Sequence, residues 1–241
     1  MILDFNKTKI YFGSEEDQIF SKNPDENFQN LKKKLNLKEL IFAHQVHGVD
    51  ALVLSDNKNH LISSNDNGYK KEEIKEYLNI FSHTADIIIS NKPGAGIGVL
   101  TADCLPIVIV DKKRNVISAV HAGWRSSVQD AVVHAISIMM YEFESQKKDL
   151  KIYFGPCARS CCYEVGEDFV NNLKDEKSVV RENNKFFFDL VRFNKNQLYD
   201  FGIKKDQIID DNCRCTMCDK SFCSYRRDKT KQWQASIVFF S

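Results

Sequence analysis

The sequence lacks several features, and each absence excludes a class of protein. Its 241 residues contain no segment rich in Pro, Gly or Ser that would separate two domains, so we expect one domain spanning residues 1–241. No apolar run approaches about 18 residues, and the N-terminus has no basic segment followed by an apolar one. The sequence therefore predicts a soluble, cytoplasmic protein that does not enter membranes.

Net charge is also nearly absent. Lys and Arg total 34 against 33 Asp and Glu, which gives a formal charge of +1. This balance provides no broad electrostatic attraction for nucleic acids or anionic membranes. We therefore expect no nucleic-acid partner, and any anion-binding site must be local.

Apolar residues and cysteines, in contrast, are plentiful. Hydrophobic residues make up 43% of the chain and include 17 Phe, which is enough for a substantial core. In a chain of this length without a secretion signal, the eight cysteines are expected to be reduced thiols, core residues or metal ligands and not disulfides.

Short apolar runs bounded by turn residues predict strands, and helical spacing predicts helices. Residues 27–38 form an amphipathic pattern, and a helix of about four turns should follow Trp124, with Ser127 as its cap. The polar stretch 55–77 predicts an exposed loop with at most a short helix. This mixture of hairpins and helices, without repeats, favours an α+β fold. The predicted strands are 41–47, 51–54, 87–89, 97–100, 105–110, 116–120, 151–154, 186–188, 208–209 and 237–240.

Two segments carry a cysteine and a histidine in unusual contexts. Thr101–Pro106 (TADCLP) contributes Cys104, and His121–Arg125 (HAGWR) contributes His121. The strands that join them are separated by residues 111–115, which predicts a hairpin. Pairing of residue 110 with 116 would put 105 opposite 121, so Cys104 and His121 should be close. Whether they share a face depends on a register of one residue, and the alternative is a buried cysteine beside a core histidine.

His47, in Gln45–Gly48 (QVHG) at the end of a predicted strand, offers a third ligand. Two imidazoles and one thiolate suit zinc, and three protein ligands leave a fourth position open, as in catalytic sites. His44 would point to the opposite side of the same strand, so we interpret it as a core or surface histidine.

Charged residues beside these segments are candidates for binding an anion. Arg125 comes first because it lies at a predicted helix start, where backbone N–H groups favour phosphate. Arg226 and Arg227 are second candidates, and each arginine could instead pair with a carboxylate. Asp103 could orient a ligand histidine or cap a turn.

The C-terminal region carries a further group of cysteines with the spacing C-x-C-x2-C-x4-C. They are Cys213, Cys215, Cys218 and Cys223. By spacing they could form a second, structural zinc site, or they could be reduced thiols near the pocket. Three more cysteines flank a Gly-Pro turn and are interpreted as packing residues, while Glu164 nearby could reach a substrate. These three are Cys157, Cys161 and Cys162.

Five blocks of sequence resemble the YfiH/YlmD-like family, once called laccase-domain or multicopper polyphenol oxidoreductase proteins and also described as peptidoglycan-editing factors. They occur in the family's order and cover most of the chain. The blocks are 45–48 (QVHG), 101–106 (TADCLP), 121–125 (HAGWR), 155–156 with 162–166 (GP, CYEVG) and 224–228 (SYRRD).

The resemblance implies a fold and an activity. The fold would be a single-domain α+β sandwich of mixed sheets with flanking helices, distantly like the cytotoxic necrotizing factors. The activity would be that of a purine nucleoside phosphorylase using adenosine, inosine, guanosine or S-methyl-5'-thioadenosine with phosphate, and also deaminating adenosine. Zinc would be bound, and catalysis carried, by His47, Cys104 and His121. The stretch Thr8–Ser14 (TKIYFGS) lacks an arginine and a glycine of the family's N-terminal motif, so no phosphate role is carried over from that arginine.

Two other enzymatic functions compete with this one, and a non-enzymatic binding role fits poorly with an open metal site. Copper-dependent phenol oxidation would need a trinuclear cluster, which six histidines without a His-Cys-His tripeptide do not supply, so Zn2+ is expected in preference to Cu2+. A cysteine hydrolase would use Cys104 as nucleophile and His121 as base. A requirement for phosphate would distinguish the phosphorylase from both.

Overall fold

The computed structural model describes residues 1–5, 7–20, 24–55, 59–65, 68–74, 81, 83–173 and 175–240. Its strands are β1 (Ile2–Phe5), β2 (Thr8–Phe12), β3 (Ile19–Phe20), β4 (Glu39–Ile41), β5 (Ala51–Leu54), β6 (Asn59–Asn65), β7 (Gly68–Ile74), β8 (Ile87–Ser90), β9 (Ala95–Thr101), β10 (Leu105–Asp111), β11 (Val116–Ala122), β12 (Leu150–Phe154), β13 (Glu164–Val165), β14 (Val179–Glu182), β15 (Lys185–Phe188), β16 (Ile208–Ile209) and β17 (Gln232–Phe240). Its α-helices are α1 (Pro24–Lys34), α2 (Trp124–Val128), α3 (Ala131–Phe143), α4 (Glu167–Asn171), α5 (Leu190–Asp200) and α6 (Tyr225–Asp228).

The described strands form three sheets. The first has the order β1-β2-β17-β9-β4, with β3 also pairing with β17; the second has the order β16-β12-β10-β11-β8-β5-β6-β7; the third is β13-β15-β14. The first two are mixed, because β4–β9, β5–β8 and β12–β16 pair in parallel while their neighbours are antiparallel. Two mixed sheets with flanking helices confirm the predicted α+β sandwich.

The side-chain alternation along β8 shows how the layers of the core arise. Ile88 packs in one cluster with Ile97 of the first sheet, so this cluster fills the space between the two sheets. Ile87 and Ile89 point the other way and pack with Ile136 of α3. Because the central strands of the second sheet are buried on both faces, they have continuous apolar sequences.

Within the polar stretch 55–77, residues 59–65 and 68–74 form two paired strands and not the predicted loop or helix. Strands β6 and β7 pair antiparallel over residues 59–74, whereas 56–58, 66–67 and 75–77 lie outside the described residues. The hairpin lies at the edge of the second sheet, where polar and charged side chains are common on strands. The sequence therefore contains few of the apolar residues that predict a strand.

The predicted strand 41–47 is also wrong beyond its first residue. Strand β4 ends at Ile41, and the chain then crosses from the first sheet to β5 in the second. His44 makes only an isolated bridge with Thr84 and is exposed. Strand β9 belongs to the first sheet, whereas β8, β10 and β11 lie in the second.

The predicted helix after Trp124 is divided into α2 and α3. Asp130 interrupts it with a left-handed backbone conformation, φ 60°. Ser127 does not cap a helix, because it is the fourth residue of α2 and its hydroxyl group hydrogen-bonds to Asn194.

In the part of the chain that the structure describes, no helix is long and apolar enough to cross a membrane.

Candidate active site

The structure brings His47, Cys104 and His121 together. Each offers one ligand atom, and these atoms all lie within 4.8 Å of one another. The Cys104 Sγ lies 3.8 Å from the His47 Nε2. A tetrahedral zinc ion bonded to a nitrogen at about 2.0 Å and a sulfur at about 2.3 Å holds them about 3.6 Å apart. The three donors therefore fit a single zinc ion.

The β10–β11 hairpin positions two of these residues. Its register pairs Pro106 with His121, one residue away from the predicted pairing of 105 with 121. Cys104 precedes β10 in a turn where Asp103 has a φ of 91°, which is rare for any residue but glycine. The turn, and not strand alternation, directs the thiol towards His121.

His47 lies in the loop between β4 and β5 and has a left-handed backbone, φ 63°. The carboxylate of Asp86 holds this loop by accepting the backbone N–H groups of Val46 (3.1 Å), His47 (2.9 Å) and Gly48 (2.8 Å). Asp86 is fully buried. Three amide donors on one carboxylate stabilise a loop conformation that the sequence alone does not predict.

Asp86 also orients His121. Its Oδ1 lies 2.6 Å from the His121 Nδ1. Burial raises the pKa of Asp86, but the hydrogen bonds from His121 and the loop amides bring it below its usual value. An ionised carboxylate only accepts hydrogen bonds, so Nδ1 carries the proton and Nε2 is left for a metal. The sequence motifs do not identify Asp86 as part of the site. A single aspartate directly before the apolar run 87–89 is the one local feature that indicates a buried carboxylate at a strand end.

Without a metal, Cys104 and His121 form a charged pair. Burial alone would raise the pKa of Cys104, but the two imidazoles lower it to about 6. Burial would lower the pKa of His121, but Cys104 and Asp86 raise it to about 9. Between these two values the pair is a thiolate and an imidazolium, and a thiolate is both a metal ligand and a nucleophile.

Asp103 orients neither histidine. Its Oδ1 accepts the hydroxyl of Thr216 at 2.7 Å, and its Oδ2 accepts the backbone N–H of Arg226 at 2.6 Å. It therefore fastens the turn before Cys104 to the first turn of α6.

The three donors line a cleft of about 810 Å³. That volume suits a small organic ligand. Aromatic side chains make much of its wall: Phe81, Trp124, Tyr163, Tyr225 and Trp233. The polar groups along it include His44, Gln45, Glu164, Arg226, Lys229 and Thr230. A larger concavity of about 950 Å³ lies elsewhere, and no histidine or cysteine is among its described lining residues.

Of the three candidate arginines, Arg226 lines the cleft. Its guanidinium lies over the ring of Tyr163, 4.2 Å from the centroid, and donates one hydrogen bond to the carbonyl of Glu164 at 2.7 Å. The other N–H groups of a guanidinium thus held at a cleft wall can bind an anion.

The other two arginines are placed differently. Arg125 is exposed, stacks on Trp124 at 4.3 Å from the ring centroid, and is not among the residues that line the cleft. Arg227 donates to the carbonyls of Thr216 and Phe222 and forms an ion pair with Asp228. Its guanidinium holds the surrounding loop together.

The predicted C-terminal set of four cysteines is not brought together. Cys215 and Cys218 lie instead with Cys161 and Cys162 in a second group, whose sulfur atoms are all within 4.8 Å of one another. Cys213 lies beside Cys157, with their sulfur atoms 3.7 Å apart, and Cys223 is buried outside this group.

Comparisons with known proteins found a matching family model and named relatives. The family model described as multi-copper polyphenol oxidoreductase laccase matches residues 16–240. The purine nucleoside phosphorylase of Clostridium acetobutylicum is 29% identical over 231 residues, covering 92% of this chain and 87% of the relative. The purine nucleoside phosphorylase of Aquifex aeolicus is 37% identical over 153 residues, which cover 64% of this chain and 69% of the relative. YfiH of Escherichia coli, also named purine nucleoside phosphorylase, is 28% identical over 227 residues, which cover 90% of this chain and 82% of the relative.

Solved structures share the fold. Bacillus licheniformis hypothetical protein YfiH has a TM-score of 0.78 at 20% identity, covering 97% of this chain and 93% of the other. YlmD from Geobacillus stearothermophilus has a TM-score of 0.71 at 20% identity, covering 89% of this chain and 78% of the other.

Proposed function

Because the chain belongs to the multi-copper polyphenol oxidoreductase laccase family, and relatives named purine nucleoside phosphorylase match most of it, we propose that it is a purine nucleoside phosphorylase. Residues 1–241 would act as one catalytic domain. The observation that carries the proposal is the convergence of His47, Cys104 and His121 on one aromatic-lined cleft of nucleoside size.

The proposed metal is zinc, held by His47, Cys104 and His121. The donor set and its spacing support this, as does the orientation of His121 by Asp86. A zinc ion bound there would supply Lewis-acid chemistry beside the substrate. A trinuclear copper cluster needs many histidines, whereas the two possible metal-ligand groups among the described residues contain two histidines between them.

The chain's own residues would bind and orient the nucleoside and phosphate. Phosphorolysis requires an anion below the anomeric carbon, and stabilisation of the positive charge on the sugar and of the departing base. The aromatic walls, including Trp124 and Trp233, offer faces for stacking a purine. Arg226 replaces Arg125 as the first candidate for the phosphate, because its guanidinium lines the cleft. Deamination of adenosine in the same cleft would need a different nucleophile. A water molecule would have to reach the base carbon, whereas in phosphorolysis phosphate has to reach the sugar carbon.

The experiment that tests the proposal supplies adenosine, inosine, guanosine or S-methyl-5'-thioadenosine with and without phosphate. Free base and (methylthio)ribose-1-phosphate should form only with phosphate, whereas conversion of adenosine to inosine should not need it. Cys104→Ala should abolish both reactions while the protein remains folded. The control is Cys223→Ala, which removes a buried thiol outside both cysteine-containing groups. Full nucleoside turnover by Cys104→Ala would refute the site assignment.

A cysteine hydrolase, including one acting in peptidoglycan editing, is the second candidate. One observation favours it: Cys104, His121 and Asp86 have the order of nucleophile, base and orienting carboxylate. Alkylation with iodoacetamide, measured for each cysteine by mass spectrometry, distinguishes the zinc-dependent phosphorylase from the cysteine hydrolase. Bound zinc should protect Cys104, and chelation should expose a thiol that reacts with a midpoint near pH 6. Equal alkylation with and without chelator, together with phosphate-independent chemistry, would favour the hydrolase.

A further inference from the structure

Four cysteines lie together beside the cleft but outside the proposed catalytic set. They are Cys161, Cys162, Cys215 and Cys218, and their sulfur atoms all lie within 4.8 Å of one another. The sulfur of Cys218 is 3.6 Å from that of Cys161 and 3.2 Å from that of Cys162. Four thiolates bound to one tetrahedral zinc ion at about 2.3 Å are about 3.8 Å apart. We propose that these four cysteines bind a second, structural zinc ion.

The exposure of these thiols supports a ligand role. Cysteine is among the most buried residue types, yet Cys161 and Cys218 are exposed and the other two are partly exposed. Exposed free thiols are open to oxidation, and binding to a metal removes that liability. A four-iron cluster fits less well, because its thiolates bind different iron atoms and must lie further apart than ligands of one ion.

The backbone around Cys215 is arranged for a thiolate. Cys215 and Cys218 form a C-x2-C turn, which the hydrogen bond from the Asp219 N–H to the Cys215 carbonyl closes at 3.0 Å. Backbone N–H groups of Arg159, Cys218 and Met217 lie within hydrogen-bond reach of the Cys215 sulfur. Such N–H groups stabilise the charged form that a metal requires.

The two halves of the site come from separate segments that the fold holds side by side. Cys157 forms an isolated parallel bridge with Cys215, and its carbonyl accepts the N–H of Thr216 at 3.0 Å. The segment that carries Cys161 and Cys162 is thereby fixed against the C-x2-C turn. All four positions of a tetrahedral ion would be filled by protein, which is the mark of a structural site.

The second ion would fix one wall of the cleft. Cys162 is followed by Tyr163, which lines the cleft, and Cys215 is followed by Thr216, which binds Asp103 next to Cys104. Loss of the ion should therefore raise the KM for nucleoside more than it lowers kcat.

Metal analysis of the purified full chain tests this proposal. The wild type should contain two zinc ions per chain, and Cys104→Ala and the double variant Cys162→Ser/Cys218→Ser should each contain one. The matched control is Cys157→Ala/Cys213→Ala, another pair of neighbouring cysteines, which should retain two. Substitution with Co2+ should give the charge-transfer bands of a tetrathiolate site in Cys104→Ala but not in Cys162→Ser/Cys218→Ser.

The effect on KM rests on the proposed function, whereas the zinc content of Cys104→Ala tests the second site whether or not the proposed function is right. If that variant folds but contains no zinc, or contains iron instead, the proposal is wrong. It is equally wrong if the non-reduced protein contains a Cys162–Cys218 disulfide, which would make its intact mass lighter by two hydrogens. The Cys104→Ala result decides the matter even if Cys162→Ser/Cys218→Ser does not fold.

Discussion

One buried carboxylate, that of Asp86, holds two of the three proposed zinc ligands. It accepts the N–H of His47 and the Nδ1–H of His121. Asp86→Asn should weaken zinc binding about 10–100-fold, the usual effect of removing a group that orients a metal ligand. An amide there cannot accept from every donor and removes the negative charge that makes His121 a stronger ligand. Competition with a chromophoric chelator measures the dissociation constant.

Asp111→Asn is the matched control for that measurement. Asp111 is also fully buried, and it accepts the backbone N–H groups of Lys113 and Arg114 at the far end of the β10–β11 hairpin. We expect both substitutions to lower the melting temperature, but only Asp86→Asn to lower zinc affinity. Equal affinity in the two variants would show that Asp86 does not position the ligands.

At the scale of elements, the junction between β11 and α2 needs a residue without a side chain. A Cβ on Gly123 would lie 2.8 Å from the His47 Cδ2 and 3.0 Å from the Cys104 Sγ. Gly123→Ala should therefore push two ligands apart and lower zinc affinity and phosphorolysis, with zinc content and kcat/KM as readouts. A loss of at least about tenfold corresponds to a misplacement costing about 1.4 kcal/mol.

Gly166 offers a control of the same backbone type. Both glycines precede a short helix, with φ of −73° at Gly123 and −78° at Gly166, and a Cβ on Gly166 would meet nothing within 4 Å. Gly166→Ala should leave zinc affinity and activity unchanged. If both substitutions have the same effect, helix capping and not ligand spacing is what Gly123 provides.

The β10–β11 hairpin shows what the sequence can predict about this site. Two apolar runs separated by a short polar segment predict the hairpin, and with it the proximity of Cys104 and His121. The predicted register differs from the observed one by one residue, because Asp111 is a typical turn residue and was not counted in the strand. Its backbone in fact pairs with Val116, and its side chain accepts a hydrogen bond from the turn.

Other parts of the site depend on residues distant in sequence. The loop at His47 is fixed by Asp86, 39 positions away, so a local pattern suggested a strand instead. The cysteine group was predicted from spacing near Cys215 and Cys218, but its other members come from a segment joined through the bridge at Cys157. Such pairings are formed by tertiary structure and leave no periodic signal.

At the scale of the whole molecule, the candidate site lies where the chain changes sheets. His47 is in the connection from β4 to β5, and Cys104 is in the connection from β9 to β10. Both connections run from the first sheet to the second, and His121 lies on the second sheet itself. A metal held by all three would therefore link the two crossovers of the sandwich.

This position predicts that zinc stabilises the folded protein as a whole. At a free zinc concentration 100 times the dissociation constant, binding to the native state alone adds about 2.7 kcal/mol to the free energy of unfolding. For a chain of this length, that gain raises the melting temperature by about 5–11 °C. Calorimetry over a zinc titration should show a rise in the wild type that exceeds the rise in Cys104→Ala by about this amount, because Cys104→Ala keeps only the second cysteine group. Identical shifts in the two proteins would mean that zinc acts elsewhere, and that the crossovers are held by packing alone.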